Sequence, residues 1–158
     1  MPDDLYDRDI LIWSEQQAEL LRRLAVGERV NDAVDWTNLI EEVESVGRSE
    51  LHVCESLLAH ALVHLLKLRA WPSSQAAAHW RGEVLGFLTN ARRSYTPSMR
   101  QRIDLAELYA DGLFEMQART DDAGQPLPLP QTCPFTLDDL LPGRPDVATL
   151  VARLSAAA

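Results

Sequence analysis

Apolar residues recur at three- and four-residue steps along most of the 158-residue chain, the period of helices that bury one stripe. From about Asp4 to Ala25 the stripe is Tyr6, Ile10, Trp13, Leu20, Leu21 and Leu24, and Gly27 ends it. A second segment opens at Asp35, an N-cap residue type. Asn38, three residues on, stands where a complete capping box carries Glu or Gln. From Trp36 this segment runs without proline to about Ala70, through Leu39, Ile40, Val43, Val46, Cys54, Leu57, Leu58, Ala61, Leu62, Leu65 and Leu68. Unbroken, it would be about 50 Å long, which is long for a chain of this size. A bend or break is therefore expected at Gly47, where the hydroxyls of Ser45 and Ser49 compete for backbone groups.

Pro72, Ser73 and Ser74 make a turn, and a third helix follows from about Gln75 to Ser94 with Trp80, Val84, Phe87, Leu88, Ala91 and Tyr95 on one stripe. Thr96 before Pro97 reads as an N-cap with proline at the first helical position, which starts a fourth helix. Its stripe is Met99, Ile103, Ala106, Ala110, Leu113 and Phe114. Beyond Arg119 the closely spaced Pro126, Pro128, Pro130 and Pro134 forbid a continuous helix. Thr136 with Asp139 caps a short turn, and Asp146 to Leu154 has the pattern of a last short helix. Alternation occurs only in Leu127-Pro128-Leu129-Pro130, where proline excludes a central strand. The fold expected is all-α: an antiparallel up-and-down bundle of four long helices over residues 1–121. An extended proline-rich arm with short helices, residues 122–158, packs on the same domain.

Composition narrows the class further. With 46% hydrophobic and 25% charged residues the chain is an ordinary globular one, and it has no run of roughly 18 apolar residues to span a bilayer. The net charge of −9 opposes general binding to phosphate backbones. That charge is uneven: residues 1–60 hold fourteen acids and five bases, 61–105 two acids and seven bases, and 106–158 eight acids and three bases. The basic middle (Lys67, Arg69, Arg81, Arg92, Arg93, Arg100 and Arg102) lacks interleaved aromatics and reads as a solvated or internally paired face. Two cysteines are too few for a disulfide framework or a thiolate metal site. The acidic start, Met1 to Asp7, is unlike a signal or transit peptide, so a cytoplasmic location is expected.

Several stretches together resemble a known bacterial family. They are Tyr6-Asp7-Arg8-Asp9 with Trp13; the run from Asp35-Trp36 through Glu41-Glu42-Val43-Glu44 to Gly47-Arg48-Ser49-Glu50; Ala59-His60 with His64-Leu65-Leu66-Lys67; Trp80-Arg81; and Leu129-Pro130-Gln131-Thr132-Cys133-Pro134-Phe135-Thr136. The family is the one catalogued as domain of unknown function number twenty-nine. The resemblance covers about residues 6–141, with Val43 and Val46 standing where Ile and Leu are expected. It implies an all-helical domain and no particular activity.

Candidate chemistry is sparse. Glu44 falls within about 40° of Ile40, Leu58 and Leu62 on an unbroken helix, inside the apolar arc. A carboxylate buried there needs a partner, a metal or a proton, unless a bend at Gly47 turns it to the surface. His60 and His64 stand at i and i+4, a spacing that lets two imidazoles share one metal ion, although histidines at the edge of an apolar arc commonly just cover the core margin. A mononuclear site would add Glu44 or His79 to them. Asp7, Arg48 and Lys67 complete a candidate polar cluster with Glu44, His60 and His64. Trp13, Trp36 and Trp80 fall on apolar stripes and read as structural, as do Gly47 and Pro97. No Gly-x-Ser-x-Gly or glycine-rich phosphate loop occurs, and Cys133 has no base at recognisable spacing.

No cofactor is called for by these patterns beyond the metal considered at His60 and His64. The leading expectation is a non-enzymatic interaction module that self-associates, as a homodimer, or binds a protein partner. Apolar residues off the main stripes carry it: Leu5, Leu11 and Ile12 in the first helix, and Leu105, Leu108 and Tyr109 in the fourth. The rival is a small helical-bundle enzyme or metal- or ligand-binding protein built on the polar cluster around Glu44, His60 and His64.

Overall fold

The computed structural model describes residues 5–158, and Asp4, where the pattern starts the first helix, lies outside them. The described residues form seven α-helices and two single 3-10 turns, with no strand, so the chain is all-α as its periodicity predicts. They gather into two compact units, one ending at Arg48 and the other formed by Ser49–Ala158.

The first unit comprises α1 (Leu5–Arg8), α2 (Ile10–Ala25) and the beginning of α3 (Trp36–Ala70). The single helix expected over residues 4–25 is divided at Asp9, whose carboxylate accepts the Ile12 N–H at 3.1 Å and so caps α2. Asp35 organises the unit. Its carboxylate accepts the Trp13 indole N–H at 3.0 Å and the Asn38 side-chain and backbone N–H groups at 2.7 and 3.4 Å, while its own N–H donates to the Gln17 side-chain oxygen at 2.8 Å. That bond satisfies the side-chain carbonyl of Gln17, a buried polar residue outside the apolar stripe. The Tyr6 ring meets Trp13 edge-on at 4.9 Å and its hydroxyl donates to Glu42 at 2.6 Å. Trp36 departs from expectation: it is 42% exposed, and its indole N–H closes onto the Asn31 carbonyl at 3.1 Å, serving the turn and not a core.

No break occurs at Gly47, since α3 is one helix of 35 residues. Glycine inside a helix costs only about 1 kcal/mol, less than the hydrogen bonds an interruption would forfeit. Ser45 meanwhile turns its hydroxyl back onto the Glu42 carbonyl at 2.9 Å without breaking the ladder. By length and composition α3 could also cross a bilayer, but from Cys54 onward most of its apolar side chains are the buried ones of the second unit.

In that unit α4 (Ala77–Ser94) runs antiparallel to α3. Cys54 reaches the Ala91 carbonyl, His60 and His64 rest on Phe87, and Trp71 meets Trp80, so positions rise along one helix as they fall along the other. Proline at 97 starts only a 3-10 turn, Pro97–Met99. The fourth long helix, α5 (Leu105–Met116), begins later, capped by Asp104, which accepts the Glu107 N–H at 3.0 Å. This restart overturns the predicted stripe. Carrying the phase of Met99 and Ile103 across the break misassigned the face: Leu105, Tyr109, Gly112 and Met116 are buried, whereas Ala106 and Ala110 are exposed and Phe114 is 75% exposed. Leu105 and Tyr109 are therefore core residues, and Leu108 is half-buried against the core. At Gly112 the two helices approach closely, for a Cβ there would stand 3.3 Å from Leu66 and 3.5 Å from Val63.

The non-helical stretch after α5 is tied down by four bonds: Ser74 hydroxyl to the Asp121 carboxylate, Trp71 indole to the Gly124 carbonyl, Leu127 N–H to the Ala70 carbonyl, and Tyr109 hydroxyl to the Pro130 carbonyl. In α6 (Leu137–Leu140) Asp139 accepts the Thr136 N–H at 2.7 Å, and α7 (Val147–Ala157) follows. Part of the basic middle is paired within the unit, Arg100 with Asp138 at 2.6 Å.

Tyr109→Phe strands the buried Pro130 carbonyl and should cost about 1–2 kcal/mol in chemical denaturation, while Phe114→Ala should stay within about 0.5 kcal/mol. The Asn38 side-chain hydrogen bond holds the Asp35 carboxyl below its ordinary value against the opposing effect of burial, and the Trp13 indole adds to the lowering. A depressed carboxyl contributes stability above the unfolded value of about 3.9 and loses it as pH falls through the lower folded value. The Trp13 indole N–H resonance should therefore shift below about pH 4 in the native chain and be pH-independent there in Asp35→Ala, which should also lose about 1 kcal/mol with its cap.

Candidate functional site

Between Cys54 and Ala70, the side chains of His60, His64 and Lys67 fall within one arc of about 60° on α3. Each imidazole is set by the same local bond. His60 Nδ1 lies 2.6 Å from the Ser56 carbonyl and His64 Nδ1 lies 2.8 Å from the His60 carbonyl. A carbonyl only accepts, so both Nδ1 atoms carry the proton and both Nε2 lone pairs are uncommitted. Neither Nε2 has a hydrogen-bond partner among the described residues. The Phe87 ring of α4 supports both, at centroid distances of 5.1 and 5.4 Å.

These rings line an open cleft of about 340 Å³ between α3 and α5, with Val63, Leu108 and Gly112 supplying apolar surface and Asp111, Glu115 and Arg119 its other charged groups. Asp111 and Glu115 are again at i and i+4, so they share a face of α5. Glu115 holds Arg119 at 2.9 Å, whereas Asp111 makes no hydrogen bond or ion pair among the described residues. Burial pushes the His64 imidazole down, and the Lys67 and Arg119 cations add to that against the opposing His60 carbonyl and Glu83. Burial likewise lowers the Lys67 ammonium, with Arg119 adding and Glu115 and Glu83 opposing. The Lys67 amine lies 5.6 Å from the centre of the Trp80 ring.

The six-residue polar cluster expected from the sequence is not gathered in one place. Asp7, Glu44 and Arg48 belong to the first unit; His60, His64 and Lys67 belong to the second. Glu44 is not buried: its side chain is 61% exposed, 3.7 Å from Arg48, which also holds Glu41 at 2.6 Å. The reason is that Ile40 and Val43 beside it are themselves exposed, so the apolar arc there covers no core and the carboxylate stays in water. His79 is exposed on α4. Among the described residues no three His, Cys, Asp or Glu side chains converge to hold a metal ion, so the expected three-ligand site with Glu44 or His79 is not formed. Burial pushes the Cys133 thiol up, the opposite of what a nucleophile needs. Asp111, Glu115 and Arg119 went unnoticed in the sequence. Their i, i+4, i+8 spacing was the available signal, obscured by the misassigned face of α5.

This geometry defines a class only broadly, an α-helical protein with a histidine- and carboxylate-lined cleft. The chain belongs to the family described as Domain of unknown function DUF29, which matches residues 5–144. It is similar to an α-helical protein of unknown function from Rhodospirillum rubrum ATCC 11170 whose crystal structure is known. The two share 29% identity with a TM-score of 0.69, over 96% of this chain and 98% of that one. No curated protein matches the chain.

The Glu115–Arg119 pair is partly exposed on both sides, where ion pairs contribute little. Glu115→Gln should change unfolding free energy by less than about 0.5 kcal/mol, measured by urea denaturation.

Proposed function

We propose that the chain is a non-enzymatic interaction module that associates with a second copy of itself through the apolar surface of its first unit. One observation carries this reading: that unit buries only Trp13, Gln17 and Val34 among its described residues, while Ile10, Leu11, Ile12, Trp36, Ile40 and Val43 stand exposed. A unit of under 50 residues with so small a core is marginal alone and gains most from association. Trp36, Ile40 and Val43 recur at i, i+4 and i+7, a stripe that pairs with its own copy about a two-fold axis. In this reading the helices work as an up-and-down bundle with residues 122–158 as a covering arm. The protein acts in the cytoplasm, and its partner is protein, since the net charge of −9 disfavours nucleic acid.

Sedimentation velocity at tens of micromolar tests the proposal. The native chain should run as a dimer, and the double variant Ile40→Glu, Val43→Glu should run as a folded monomer with unchanged far-ultraviolet circular dichroism. A native chain that sediments as a monomer overturns self-association, as does a dimer that both glutamates leave intact.

A further inference from the structure

We propose that His60 and His64 form a two-imidazole chelate for one borderline divalent transition-metal ion, of the zinc or nickel class, in the cleft between α3 and α5. The local chemistry is that of a metal-binding pair. Both rings donate Nδ1–H to the carbonyl four residues earlier, at 2.6 and 2.8 Å, the outer contact that orients ligating imidazoles. Both Nε2 atoms are left as unpartnered acceptors on one face of one helix, one turn apart. Phe87 buttresses the two rings together, which limits the ordering that binding must impose.

Nitrogen donors select the ion class, because hard cations such as calcium and magnesium take oxygen ligands. Only two imidazoles point to the ion, and no third protein donor converges with them among the described residues. The site is thus open, with water completing the coordination shell. The cleft also holds the uncommitted carboxylate of Asp111, which offsets the ion's charge through a bound water. This chelate is independent of the self-association proposed above and uses none of the first unit's residues.

Calorimetric titration of chelator-washed, full-length protein with zinc or nickel chloride tests it. The expected result is one ion per chain, weakened at least about tenfold by either His60→Gln or His64→Gln, less by Asp111→Asn, and unaffected by His52→Gln or His79→Gln. His60 is exposed, so His60→Gln keeps the fold, and circular dichroism checks each variant. In a long-range nitrogen-15 spectrum, a diamagnetic zinc titration should move the Nε2 resonances of His60 and His64 and leave those of the other two histidines in place. Absence of binding tighter than millimolar overturns the proposal, as does binding of equal strength in the His60→Gln and His64→Gln variants.

Discussion

The second half of α3 is apolar over more than half of its circumference, and the second unit is arranged to satisfy that fact. Ala61, Leu62, Val63, Leu65, Leu66 and Leu68 are all buried, and at 100° per residue they point around most of the helix. A helix of this kind is tolerated only when neighbours enclose it. The antiparallel α4 covers one side through Trp80, Val84, Leu88 and Ala91. The α5 backbone closes against Val63 and Leu66, so that a Cβ at position 112 would press on the Leu66 side chain at 3.3 Å. Even the proline-rich stretch is recruited, bonding to Ala70, Trp71 and Tyr109.

The arc that escapes enclosure is the polar one. Where His60 and His64 interrupt the apolar surface of α3, the cleft opens against α5. Its character follows from the helix itself: the same i to i−4 geometry that brings each histidine over a backbone carbonyl also aligns the two rings. Desolvation by the surrounding core then favours their neutral form at His64. A site can thus arise at a core margin without any strained backbone, and the described residues show no positive φ outside glycine.

The first unit rests on a different device. With so few buried side chains, its order depends on directed polar bonds that converge on Asp35, from the Trp13 indole, the Asn38 amide and the Gln17 carbonyl. Such a unit is specific without being deeply cored, which leaves its apolar residues available outside. The same economy explains Glu44: in a unit without a thick core an acid on the apolar arc needs no buried partner, and Arg48 one turn away suffices.

Much was readable from the residues alone, because it depends on local chemistry. Helix period, the Asp35 and Thr136 caps, the stripe of the third helix and the shared face of His60 and His64 require only neighbours within a turn or two. The sequence by itself therefore determined an all-α chain, its family and the face that carries the two histidines. Tertiary structure decided the rest. Whether Gly47 breaks a helix, whether Glu44 is dry, and where α5 starts all depend on what packs against those positions, and periodicity is silent on that. The phase of α5 is the clearest case, since a five-residue interruption before Leu105 turned the predicted outside inward. Only once Leu105, Tyr109 and Gly112 faced the core could Asp111 and Glu115 come to line the cleft beside the histidines, because neighbouring positions on a helix point to different sides.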